Sequence, residues 1–199
     1  MTMDIRTRYT RQALTDALFE LLETRPLEQV TVKELCSRAG VNKSTLYAHF
    51  SGVRDVFVQG ELAFVEETVA MDLQLPQRAE ECGSLDDAYL ELCEFYLRNR
   101  SRFLAIVRND PDYYLTKGEQ YASTVLALQG KDSQIAQLDE HRQELGRLMM
   151  STTNAAFVHL IQAWLVQYQN LSPTSVSHLL SHMMPYAKKT VMRESMPSR

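Results

Sequence analysis

Cysteine, glycine, proline and tryptophan are all scarce in this chain: its 199 residues hold three Cys, seven Gly, six Pro and one Trp. Cys36, Cys82 and Cys93 are an odd number without CxxC spacing, which argues against a disulfide framework or a zinc knuckle. They read as reduced core thiols. Strand-type alternation is also scarce, while Leu, Ala, Glu, Gln, Arg and Met dominate long stretches, so the expected fold class is all-α. No run of about 18 apolar residues is present to span a bilayer, and the first ten residues lack the apolar core of a secretory signal. The expected location is cytoplasmic, with no membrane partner. A Gly-rich phosphate loop, HExxH and GxSxG are missing as well, so neither an enzyme nor a cofactor is expected.

An excess of positive charge is the last absence. The chain has 21 Lys and Arg against 25 Asp and Glu, a formal net charge of −4, which excludes a non-specific polyelectrolyte binder of nucleic acid. The distribution is uneven: residues 1–50 hold seven basic and six acidic side chains, leaving −5 for residues 51–199. A small head whose few cations are placed by geometry, joined to an acidic body, remains compatible with DNA.

Residues 7–23 carry Ala13, Leu14, Ala17, Leu18, Leu21 and Leu22 at helical spacing, predicting an amphipathic helix that ends at Pro26. Leu27 and Val30 of the connector are placed to tuck beneath its neighbours. Thr31-Val32-Lys33-Glu34 fits a capping box opening a second helix, which stops at Gly40, a residue type that tolerates the left-handed conformation. Asn42 is positioned to cap a third helix over 43–50, with Leu46 and Phe50 facing inward. A fourth is expected over 54–73, a loop over 76–84, and body helices over 85–98, 100–108, 112–128, 132–169 with a break around 138–142, and 174–191. The expected division is a helix-turn-helix domain over 1–53 and a helical effector-binding and dimerisation domain over 54–199.

Two short helices joined by a Gly-containing turn, the second exposing Lys, Ser, Thr, Tyr and His, are what a helix-turn-helix requires. Lys43, Ser44 and Thr45 carry hydrogen-bonding tips near the N-terminus of the reading helix, where base edges of the major groove are met. Tyr47 and His49 sit further along, within reach of flanking phosphates, and Thr31 lies where a helix dipole favours an anion. Lys33, Asn42 and Arg54 complete the candidate DNA-binding set.

The run from Thr31 to Phe50 resembles the DNA-binding head of the TetR-type (TetR/AcrR) bacterial regulators, and the order of elements over 7–57 fits that family. The resemblance covers about a quarter of the chain. It implies a homodimer with one head per subunit on a palindromic operator of double-stranded DNA, and a body that binds a small-molecule effector or a partner. It also implies groove-facing positions for Lys43, Ser44 and Thr45, and phosphate-contacting ones for Thr31, Tyr47 and His49. One departure stands out: many relatives have a Lys at the start of the fourth helix, where this chain has Val53, with Arg54 one position late. A repressor is favoured over an activator. The alternative is a co-regulator that binds a partner protein and has weak or no DNA affinity of its own.

In the body, Tyr96, Phe103, Tyr121 and Trp164 lie on different expected helices and are candidates to line an apolar ligand pocket, against a plain core role. His178 and His182 are four apart on the last helix, but no third ligand is evident. The pair reads as solvated or interfacial, and no metal site is assigned. Arg98, Arg100, Arg102 and Arg108 form a basic group that reads as a solvated face or an anion site. Ala155, Ala156, Val158, Ile161, Ala163 and Leu165, then Val176, Leu179, Leu180, Met183, Met184 and Ala187, give the last two helices long stripes suited to close packing. The resemblance implies that these two helices form the dimer interface; burial within one subunit is the alternative.

Overall fold

The computed structural model describes residues 5–110 and 140–195. Every regular element among them is helical, the all-α class expected. In chain order they are α1 (Ile5–Leu22), α2 (Val32–Ala39), α3 (Lys43–Tyr47), α4 (Val53–Cys82), α5 (Leu85–Arg98), α6 (Arg100–Asn109), α7 (Glu140–Val166) and α8 (Pro173–Ser195), with a 3-10 turn at Leu27–Gln29. They fall in two compact units, one of residues 5–66 with 99–110 and another of 67–98 with 140–195, and α4 contributes to both. The helix expected over 112–128 lies outside the described residues. Of the break expected around 138–142, the described part is helix.

In the first unit the apolar stripe of α1 is the core. Leu14, Leu18 and Leu22 are fully buried with Leu35 of α2 and Leu46 of α3, and Phe50, Val56 and Phe57 close over them. Burying each such side chain contributes about 1.5–3 kcal/mol, which holds three short helices that none could sustain alone. The connector is satisfied from α6. Leu27 and Val30 are buried as expected, and the Leu27 N–H donates to Asn109 Oδ1 at 2.8 Å while the Asn109 amide donates to the Ala105 carbonyl at 2.7 Å.

The crossing of α1 and α4 is close at Gly60, where an added Cβ would lie 2.7 Å from a ring carbon of Phe19 and 2.8 Å from the Thr15 methyl. Phe19 packs on Phe57 with ring centres 6.1 Å apart, and Phe64 on Phe103 at 6.2 Å. Arg102 belongs here rather than on the solvated face expected for it: its guanidinium lies 5.1 and 5.5 Å from the ring centres of Phe19 and Phe64. It also donates to the Gly60 carbonyl at 2.7 Å. Aromatic faces attract the cation while its stem fills apolar space.

In the second unit α8 packs against α5 and α7. Tyr89, Leu92, Cys93, Tyr96, Ile161, Trp164, Leu165, Val176 and Leu180 are buried. Trp164 directs its indole N–H to the Leu171 carbonyl at 3.0 Å, so the turn between α7 and α8 is pinned to the core. The stripes on α7 and α8 divide into two faces. Val158, Ile161, Leu165, Val176, Leu180 and Met184 are buried within this unit, whereas Leu179 and Met183 are exposed, as are Leu145 and Leu148.

Three further expectations are corrected. The segment 76–84 is not a loop: α4 continues through Pro76 to Cys82 and ends at Gly83, whose φ is +83°. Proline removes one hydrogen bond and crowds the preceding turn. Leu75 is nonetheless buried beside it, and Gln77 and Arg78 bond to Glu81 across the next turn. Cys82 is exposed rather than a core thiol; Cys36 and Cys93 are buried, and burial pushes the Cys93 thiol up to about 12. The third helix closes at Tyr47, three residues early.

Candidate nucleic-acid interface

The candidate face is built from the caps outward. Thr31 opens α2 with both halves of a capping box: the Glu34 N–H donates to Thr31 Oγ1 at 3.3 Å, and the Thr31 N–H donates to Glu34 Oε2 at 3.0 Å. Arg25 pairs with the other carboxylate oxygen at 2.8 Å. Hydrogen bonds from Thr31 and Arg25 hold the Glu34 carboxyl at about 2. The dipole of α2 is thus already met by an anion of the chain itself, and the exposed ammonium of Lys33 is the added cation at this end. Gly40, at φ +68°, ends α2 in the left-handed region that a Cβ disfavours.

Asn42 then caps α3. Its Oδ1 accepts from the Thr45 N–H at 2.7 Å, from Thr45 Oγ1 at 2.8 Å and from Ser44 Oγ at 2.6 Å. One carbonyl oxygen therefore orders the first turn and orients two hydroxyls, which keep lone pairs to accept from outside. Lys43 and Ser44 are exposed and Thr45 half-buried. Leu46 is fully buried, so the same short helix is anchored on one side and presented on the other.

Tyr47, 57 % exposed, is the last residue of α3. His49 lies beyond it in a tight turn in which the His49 and Phe50 N–H groups both donate to the Leu46 carbonyl. The tightened turn buries Phe50 and leaves His49 half-buried. Arg11 braces that turn from α1, with its guanidinium 4.7 Å from the Phe50 ring centre and a bond of 3.4 Å to the His49 carbonyl. Val53 is the half-buried first residue of α4, and the exposed Arg54 lies along that helix, 5.9 Å from the Phe57 ring centre.

The start of α1 belongs to this face too, a point that reading motif by motif missed. Arg6, Thr7 and Thr10 line an open groove of about 380 Å³ with Ser44, Thr45, Ala48 and His49. The signal was present in Arg6-Thr7-Arg8-Tyr9-Thr10-Arg11, where cations and hydroxyls recur over the first turns of a helix whose apolar stripe begins only at Ala13. Elsewhere in this unit Arg38 is drawn off by Glu20 at 2.6 Å.

The described pocket candidates are divided between the two units. Phe103 is in the first unit, packed on Phe64. Tyr96 and Trp164 are in the second, where Tyr96 meets Phe157 edge-on at 5.8 Å. Tyr121 lies outside the described residues. No helix among the described residues is long and apolar enough to cross a membrane.

Residues 14–59 match the family model of bacterial regulatory proteins, tetR family. Among curated proteins, nucleoid occlusion factor SlmA of Shewanella baltica is 32% identical over 65 residues, 33% of this chain and 32% of that protein. The factor of Idiomarina loihiensis is 36% identical over 62 residues, 31% of each chain, and that of Shewanella amazonensis 27% over 135 residues, 64% of each. The chain thus spans about a third of the length of the first of these relatives.

Proposed function

We propose, from the match of residues 14–59 to the tetR family model, that the protein is a homodimeric, sequence-specific DNA-binding transcriptional regulator. The observation that carries this reading is the presentation of α3, in which Lys43, Ser44 and Thr45 project from a turn fixed by Asn42 while Leu46 anchors the opposite side. Short side chains there allow the backbone to approach base edges. Lys33, Tyr47, His49 and Arg54 act as phosphate contacts around them, with Thr31 and Asn42 holding the two helix starts. The exposed Leu145, Leu148, Leu179 and Met183 form the dimer surface on α7 and α8. Two reading helices then enter successive major grooves about 34–36 Å apart, so the operator is a palindrome. The protein represses, and a small molecule bound by the body, with Tyr96 and Trp164 of the second unit as candidate contacts, releases it.

Selection of genomic fragments with the purified protein tests this. Enrichment of a palindrome is expected, and failure to enrich any sequence at low salt would falsify it.

A second reading is favoured by Arg54, whose guanidinium lies 5.9 Å from the Phe57 ring centre instead of standing clear as a phosphate clamp. On that reading the body docks a partner protein and the head has little DNA affinity of its own. An operator footprint by the protein alone at physiological salt excludes it.

A further inference from the structure

His178 and His182 lie one turn apart on α8, and the fold brings them a third donor that is 92 residues from His178 in sequence. Asp86, in the first turn of α5, places Oδ2 2.8 Å from His178 Nδ1. One ligand atom from each of Asp86, His178 and His182 lies within 4.8 Å of the others. We propose that these three side chains form a binding site for a borderline transition-metal dication of the zinc class, joining α5 to α8.

The chemistry of the donors fits. Two imidazoles and one carboxylate are a common zinc ligand set, leaving a fourth tetrahedral position for water. With bonds of about 2.0–2.2 Å, neighbouring donors of such a site stand roughly 3.3 Å apart. Binding therefore opens the 2.8 Å Asp86–His178 hydrogen bond, its proton passing to the other ring nitrogen or to solvent, and draws the remaining donor in by side-chain rotation. Both histidines are exposed, so that rotation displaces no core packing. His182 Nδ1 lies 2.8 Å from the His178 carbonyl, which can only accept, so the ring proton sits on Nδ1 and Nε2 carries the lone pair. A histidine that gives one N–H to a backbone carbonyl while its other nitrogen faces a metal is the usual outer-sphere arrangement. Ser181 Oγ donates to Asp86 Oδ1, fixing the carboxylate from its far side and leaving Oδ2 toward the rings. Softer thiolates are not part of the set, which favours zinc, nickel or cobalt over copper(I).

The alternative is a hydrogen-bonded clasp between α5 and α8 that takes no metal. Titration of the full-length protein with Zn²⁺, followed by calorimetry and by thermal melting, separates the two. One Zn²⁺ per protomer with a raised Tm is expected. Asp86→Asn and His182→Gln should each weaken binding at least tenfold, and His178→Gln with His182→Gln should abolish it. Co²⁺ should give visible d–d absorption of tetrahedral intensity that the double variant loses. Circular dichroism of the variants before metal is added should match the parent, since the substituted histidines are exposed. Stoichiometric binding that persists in the double variant would locate the metal elsewhere and overturn the proposal. So would a parent protein that binds no Zn²⁺ at 100 µM.

Discussion

Glu34 couples the head to pH. Its carboxyl is lowered from 4.5 to about 2, chiefly by the Thr31 hydroxyl and then by Arg25. A depressed folded-state value means that the charged form stabilises the head at any pH above the unfolded value, and that this contribution disappears as pH falls through the folded one. The loss should therefore fall between about pH 4.5 and 2. Denaturation midpoints taken at pH 5 and pH 2.5 should diverge less in Glu34→Gln than in the parent; equal divergence in both would remove Glu34 as a cause. On the proposed function, side chains on the presented face divide by what they would touch. Lys43→Ala should relax base preference, costing about 1–3 kcal/mol of discrimination at one position, whereas Tyr47→Phe should weaken every site alike. Competition binding against a panel of single-base operator variants measures both, and a Tyr47 effect confined to one base would contradict its assignment to phosphate.

Elements, rather than residues, decide what Gly60 does. Gly to Ala in the middle of a helix ordinarily gains about 1 kcal/mol from propensity. At Gly60 the new methyl would meet Phe19, a ring already wedged between Phe57 and the Arg102 guanidinium, and the Thr15 methyl. Overpacking of this kind costs about 1–3 kcal/mol. Gly60→Ala should therefore lower the urea midpoint of the head, and a rise would mean that α1 and α4 separate more readily than their contacts imply. This crossing was invisible in the sequence, because a lone Gly in a helix carries no mark of what passes beside it. The starts and ends of α2 and α3 were legible for the opposite reason: Thr31 with Glu34, Gly40 and Asn42 act within four residues of themselves, so local chemistry specifies them. Pro76 misled by the same logic, since α4 runs through it with Leu75 buried beside it, whereas Gly83 does end the helix. Asn109 and Asp86 were out of reach, as each acts on a partner more than eighty residues away.

For the whole molecule the governing quantity is where its charge sits. A net −4 carried by a chain whose first fifty residues are slightly positive means that a dimer has little long-range attraction to DNA. Affinity must then come from a countable set of contacts. If the proposed contacts Lys33, Lys43 and Arg54 are the cations that each head sets on phosphate, two heads engaging together would neutralise about six phosphates, for a slope of log K against log salt of about −5. Lys33→Ala, acting twice in a dimer, should make that slope shallower by about 2. Binding isotherms on the selected operator between 50 and 200 mM salt decide the matter. A slope of only about −3 to −4 would show that only one head engages or that Arg54 stays on Phe57. A slope near −10 would require the Arg6, Arg8 and Arg11 run of α1 to lie on the backbone as well, and in that case Arg8→Ala should reduce it as much as Lys33→Ala does.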